Sequence, residues 1–187
     1  EDNFATIRFL MIARVLYDKG YSEYVEAARI VKKKYPDIGI FLLGPMDEVS
    51  PMGVSKEVLN KDVDSGLISY LGVSNDVPSE LCKSGTVIVL PSYHEGLSMS
   101  LIEACASGRP IITTDISGCR ETVYDGINGF LVPVKNSEAL ADAMIRFIEL
   151  NAEKKQEMSK RSREKAESIF DVKYVLELYD KLLEELN

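Results

Sequence analysis

The 187 residues carry 45% hydrophobic side chains and 30 acidic groups against 22 Lys and Arg, a formal charge of -8. That is apolar material for one sizeable core, since domains cluster at about 100 to 150 residues. The acidic balance excludes a broad basic footprint for DNA, RNA or an anionic bilayer, so any phosphate must be met locally.

Thr6 to Ala13 is a nearly continuous apolar run, as a central parallel strand buried on both faces requires. It breaks at Arg14, and the chain to Gly20 reads as a polar loop. Tyr21, Tyr24, Val25, Ala28, Val31 and Tyr35 then repeat at helical spacing up to Pro36, which stops the helix. Ile38 to Leu43 is a second strand ending at Gly44-Pro45, where the missing side chain would let a ligand approach the backbone. Met46 to Gly66 is poorly patterned, with one helix expected near Lys56 to Asp62. Ile68 to Leu71 is a short third strand, and Asp76-Val77-Pro78-Ser79-Glu80 reads as a helix start with Pro in the first turn.

Val87 to Leu90 is a fourth strand, followed by Pro91 to Ser98 as a loop, a helix from about Ser98, and a fifth strand at Ile111 to Thr113. Phe130 to Val132 is a sixth strand. Leu140, Met144, Phe147 and Ile148 keep helical period, while Ala152 to Lys165 is charged on most sides and reads as an exposed helix. Asp171 is the expected N-cap of a last helix, about 171–186, with an apolar stripe of Val172, Val175, Leu176, Tyr179, Leu182, Leu183 and Leu186. The alternation predicts an α/β fold, a Rossmann-like doubly wound parallel sheet of about six strands with extra C-terminal helices.

Cys82, Cys105 and Cys119 form no Cys-x-x-Cys pair and read as reduced thiols. No signal peptide is recognisable, and no apolar run approaches the ~18 residues of a membrane span. A cytoplasmic setting is therefore expected. The start at Glu1 without an initiator Met points to a piece of a longer protein.

Two places can carry chemistry. Arg14 and Lys19 leave the first strand and offer a guanidinium fork plus an ammonium, the pair of cations a diphosphate needs. Glu95-Gly96-Leu97-Ser98 joins a carboxylate for neutral hydroxyls, a glycine that admits close approach, and a helix start whose free N–H groups favour an anion. Glu103 lies farther along the same helix and would reach another part of the same ligand. Neither a Gly-x-Gly-x-x-Gly nor a P-loop is present. Taken alone, Glu95 and Glu103 also admit a glycosidase acid and nucleophile or base, and the whole chain admits a non-catalytic nucleotide-binding module.

Pro91-Ser92-x-x-Glu95-Gly96 with Leu101-x-Glu103-Ala104 resembles the E-x7-E signature of the retaining GT-B glycosyltransferases of family 4. Ala13-Arg14-x-x-x-x-Lys19-Gly20, Tyr70-Leu71-Gly72, Ser107-Gly108-Arg109-Pro110 and Gly126-x-Asn128-Gly129-Phe130-Leu131-Val132-Pro133 are similar to that family in order and spacing. Thr113-Thr114-Asp115-x-x-Gly118-Cys119-Arg120-Glu121-Thr122-Val123 resembles a subgroup that assembles capsule, O-antigen and lipid-linked glycans.

The resemblance implies that residues 1–187 are the C-terminal, donor-binding domain of a two-domain enzyme. It implies transfer of a hexose or N-acetylhexosamine from a nucleotide sugar, UDP being the expected nucleotide, to a glycan or polyprenyl-linked acceptor. Arg14 and Lys19 would hold the diphosphate and stabilise the leaving group; Glu95, Gly96, Leu97 and Ser98 would meet the sugar and β-phosphate. Glu103 would bind the ribose, and Val73 would offer its backbone to the base. Arg14, Lys19 and Glu95 are the expected catalytic residues. The resemblance implies no metal and no cofactor, since Arg, Lys and the helix dipole replace a cation. The acceptor site would belong to a missing N-terminal domain, against which the last helix would pack, and His94 would be a variable loop residue. No nucleic-acid partner is expected, and membrane contact would be peripheral, at the inner face.

Overall fold

The computed structural model describes residues 4–185. Six parallel strands form one sheet: β1 (Arg8–Ile12), β2 (Gly39–Leu43), β3 (Ser69–Tyr70), β4 (Thr86–Leu90), β5 (Ile111–Thr114) and β6 (Gly129–Val132). Their order is β3-β2-β1-β4-β5-β6. The chain builds outward from β1 to one edge, returns to β4 beside β1, and builds outward again to the other edge. β1 and β4 are thus neighbours whose connections leave in opposite directions, which opens a crevice at their carboxyl ends.

All five residues of β4 are buried, as are Phe9, Leu10 and Met11 of β1; both strands lie inside the sheet with helices over both faces, which explains their unbroken apolar spelling. Helix α1 (Tyr21–Lys34) packs on α5 (Ser137–Glu149), and α4 (Met99–Ala106) packs on α6 (Ala152–Lys165). Crossovers of one hand that run in opposite directions from β1 and β4 put these two layers on opposite faces. The shorter helix α2 (Lys56–Asp64) links β2 to β3, and α3 (Val77–Cys82) leads from β3 back to β4. Ser55 caps α2 through Val58 N–H, and Asp76 caps α3 through Ser79 N–H with Pro78 in the first turn, a standard way to satisfy the free donors of a helix start.

Three sequence expectations change. The segment after β1 is not simply polar: Val15 and Leu16 are buried, and Tyr17–Lys19 forms a 3-10 turn. Helix α6 is not exposed all round, because Lys155, Met158, Ser162 and Lys165 form a buried stripe. Polar members of that stripe are satisfied locally, Lys155 by the Ile148 carbonyl at 2.8 Å and Ser162 by Asn128, which makes their burial affordable. At Gly44 the missing side chain serves the fold and not a ligand, since a Cβ would lie 1.9 Å from the Ala13 carbonyl oxygen.

The last helix, α7 (Val172–Glu185), follows a π-helical turn at Ala166–Phe170. Val172, Val175, Leu176, Tyr179, Leu182 and Leu183 are all exposed, so much of its stripe faces outward. Leu186, the last member predicted for that stripe, lies outside them.

Candidate functional site

The loops that leave β1 and β4 meet at the crevice. Lys19 sits at the end of the 3-10 turn Tyr17–Lys19, immediately before α1. Its ammonium lies 2.7 Å from Glu95 Oε1. The hydroxyl of Ser92, fully buried, donates to the same oxygen at 2.7 Å. Two donors hold that one oxygen in place, and among the described residues no side chain donates to Oε2. The pair is largely shielded, with side-chain exposures of 20% and 13%, so it is less screened by solvent than a surface ion pair.

Further contacts brace the Glu95 loop from both sides. Tyr93 N–H donates to the Asp18 carbonyl at 2.8 Å, joining it to the turn that carries Lys19. The Tyr93 hydroxyl donates to both oxygens of Glu23 on α1, at 2.7 and 2.8 Å. Burial, then Glu23, then Asp18 push the Tyr93 phenol well above its ordinary range. From the other side, Thr114 Oγ1 donates to the Ser92 carbonyl at 2.6 Å. Gly118, at φ +81°, lies so close that a Cβ would fall 1.6 Å from the Gly96 carbonyl oxygen; only glycine fits there.

Lys19, Tyr93, His94, Glu95, Gly96, Ile116 and Ser117 line a cleft of about 450 Å³. Gly96 has open space beside it, with nothing within 4 Å of an added Cβ. Leu97 is exposed; Ser98 is buried and occupies the N-cap of α4, yet its hydroxyl faces Ser100 Oγ at 3.3 Å and caps no backbone N–H. The first turn of α4 therefore keeps its donors for an anion.

The remaining predicted residues stand apart. Arg14 is exposed and pairs through NH1 with Asp47 Oδ2 at 3.1 Å. Val73 is 68% exposed in the loop after β3, and Glu103 is exposed on α4. None of the three lines the cleft. The fold thus brings together Lys19, Glu95 and Gly96, with Leu97 and Ser98 following in the same loop, and does not bring Arg14, Val73 and Glu103 into that cleft. Sequence reasoning missed Ser92 as the second donor to Glu95, Tyr93 as the tie to α1, and Asp47. Only Ser92 had a local signal, being three residues before a carboxylate at a strand end. Among the described residues no group of three His, Cys, Asp or Glu is placed to hold a metal ion, and no helix is long and apolar enough to cross a membrane.

A family model described as glycosyl transferases group 1 matches residues 5–165. The N,N'-diacetylbacillosaminyl-diphospho-undecaprenol alpha-1,3-N-acetylgalactosaminyltransferase of Campylobacter jejuni is 34% identical over 181 residues, which is 95% of this chain and 45% of that protein. The capsular polysaccharide biosynthesis glycosyltransferase CapM of Staphylococcus aureus is 27% identical over 93% of this chain and 46% of its own length. The chain therefore spans a little under half the length of these relatives. Among solved structures, Anabaena Alr3699/HepE in complex with UDP matches with a TM-score of 0.83 at 21% identity, over 97% of this chain and 50% of that one; it shares the fold. With its parallel sheet, its crevice and a family match over most of its length, the chain belongs to the group 1 glycosyltransferases.

Proposed function

We propose that this chain is the donor-binding half of a retaining glycosyltransferase that moves a hexose or N-acetylhexosamine from a nucleotide diphosphate sugar, with UDP as the nucleotide, to a glycan or lipid-linked acceptor in surface polysaccharide synthesis. The observation that carries this is the Lys19–Glu95 pair at the crevice between β1 and β4, where a cation for phosphate and a carboxylate for sugar hydroxyls stand side by side. Glu95 Oε2 accepts from the sugar, while Lys19 and the N–H groups of α4 meet the diphosphate. Arg14 adds a second cation. As the sugar–phosphate bond breaks, negative charge grows on the leaving diphosphate, and fixed cations and backbone donors stabilise it more than they stabilise the bound donor. Glu103 takes the ribose hydroxyls and Val73 the base. No metal or cofactor is needed in this scheme, because the two cations and the helix dipole neutralise the phosphates.

Similarity supports the assignment. The Campylobacter jejuni relative is named for a diphospho-undecaprenol acceptor and CapM for capsular polysaccharide; HepE was solved with UDP. The acceptor site belongs, in this proposal, to an N-terminal domain of the full enzyme, which works in the cytoplasm at the inner face of the membrane. A glycosidase is disfavoured, because Glu95 is the one carboxylate among the described residues that line the cleft, and such enzymes need two facing the same bond.

Calorimetric titration of the chain with UDP, UDP-sugars and other nucleotide sugars tests the donor assignment. Binding that needs the diphosphate and is weakened by Lys19→Ala supports it. Absence of nucleotide binding by the folded chain, or release of sugar from an aryl glycoside regardless of UDP, overturns it.

A further inference from the structure

We infer that Asp47 is a positioning residue that holds Arg14 ready for the donor diphosphate; the inference rests on the donor-binding role proposed above. Asp47 lies in the segment after β2, where sequence patterning is weakest. Its carboxylate is itself fixed, with Oδ1 accepting from Ser50 N–H at 3.2 Å and Oδ2 from Arg14 NH1 at 3.1 Å. The turn that carries it is tight, since a Cβ on Gly53 would fall 2.1 Å from the Asp47 carbonyl oxygen.

That turn is also knitted to the Arg14 loop. Val15 N–H donates to the Pro45 carbonyl at 2.9 Å, Tyr17 N–H to Met52 at 2.8 Å, and Val54 N–H to the Val15 carbonyl at 3.2 Å. Asp47 is thus a fixed acceptor on a backbone shelf shared with the residue it holds. Arg14 is the more exposed partner, a long side chain at 57%.

Two roles are open to a carboxylate beside a phosphate-binding cation. It can compete with the phosphate, or it can orient the cation. The geometry points to orientation. A guanidinium has five N–H donors in a rigid fork, and the contact occupies NH1 alone. Nε and NH2 remain for the diphosphate without breaking the pair. Holding the stem beforehand removes part of the cost of ordering a rotamer-rich side chain on binding. The negative charge of Asp47 works against this gain, so the hydrogen-bond acceptor is useful and the charge is not.

The two roles predict different patterns for UDP titrated into the folded 187-residue chain and its variants, with uridine as a phosphate-free control. For a positioning residue, Asp47→Ala weakens UDP binding about three- to tenfold and leaves uridine unchanged. Asp47→Asn, whose amide oxygen still accepts from Arg14, restores wild-type affinity or exceeds it. In an Arg14→Ala background, Asp47→Ala has no further effect. Tighter UDP binding by both Asp47→Ala and Asp47→Asn would overturn the inference in favour of competition. Arg14→Ala weakening UDP while Asp47→Ala changes nothing would overturn it and leave the donor assignment standing. UDP binding indifferent to Arg14→Ala would overturn the inference together with the role proposed for Arg14.

Discussion

Lys19 and Glu95 meet at 2.7 Å although 76 positions separate them in the chain. One belongs to the turn after β1 and the other to the loop after β4, and only the adjacency of β1 and β4 in the sheet brings them together. The pair therefore reports on both the fold and the site. Removing Lys19 leaves a shielded carboxylate with the Ser92 hydroxyl, at 2.7 Å, as its remaining side-chain donor among the described residues, and a half-satisfied charge is costly.

Lys19→Ala should accordingly lower the stability of the chain by about 1 to 3 kcal/mol and weaken UDP binding about 10- to 100-fold, the range of a lost charge-assisted hydrogen bond. Glu95→Gln should cost less stability, because its amide oxygen still accepts from Lys19 and Ser92. Urea denaturation and calorimetry on the single and double variants check this. Additive stability losses in the double variant would show that the two side chains do not act as a pair.

Tyr93 offers a test in pH. Its hydroxyl donates to Glu23, and burial followed by that carboxylate raises its pKa in the folded chain. The unfolded phenol ionises near the ordinary value of about 10. The folded state thus holds a proton that the unfolded state loses, and stability contributed by Tyr93 is complete below pH ~10 and declines as pH rises above it. Tyr93→Phe should be less stable than wild type at pH 8, and the gap should narrow between about pH 10 and 11. Urea midpoints across that range measure the gap; a constant difference would mean that the phenol titrates alike in both states.

The architecture was readable because its signals are local. Six apolar runs became six strands, and Asp76 stands where a helix start needs it. Lys19 and Glu95 were readable as separate candidates, each beside the end of an apolar run, but their contact was not. Asp47 meeting Arg14, and Gly118 meeting Gly96, join segments far apart in the chain and depend on how neighbouring loops settle over the sheet. Helix α6 misled because Lys155 and Ser162 count as polar in any pattern, whereas their hydrogen bonds to Ile148 and Asn128 let them enter the interior.

The exposed stripe on α7 predicts an unequal response to substitution. Leu176 and Leu183 are 56% and 58% exposed, whereas Leu101 on α4 is fully buried. Leu176→Ser and Leu183→Ser should leave the stability of the chain within about 0.5 kcal/mol of wild type, and Leu101→Ala should cost about 2 to 5 kcal/mol. A large loss at Leu176 or Leu183, read by thermal or urea unfolding, would show that the stripe is covered in solution.

Two glycines in contact separate binding from folding. At Gly96 an added Cβ meets nothing within 4 Å, and the residue sits on the wall of the cleft. Gly96→Ala should keep the fold and weaken UDP or UDP-sugar binding, because the methyl group occupies space a ligand needs. At Gly118 the same methyl group would lie 1.6 Å from the Gly96 carbonyl oxygen, on a backbone at φ +81°. Gly118→Ala must therefore push the Glu95 loop away from the β5 side and strain its own backbone, lowering stability by about 1 to 3 kcal/mol or more as well as binding. Unfolding midpoints and UDP titrations on both variants give the comparison. Equal stability losses at the two positions would mean that the loops are not packed against each other in solution, while unchanged binding in Gly96→Ala would remove Gly96 from the ligand's path.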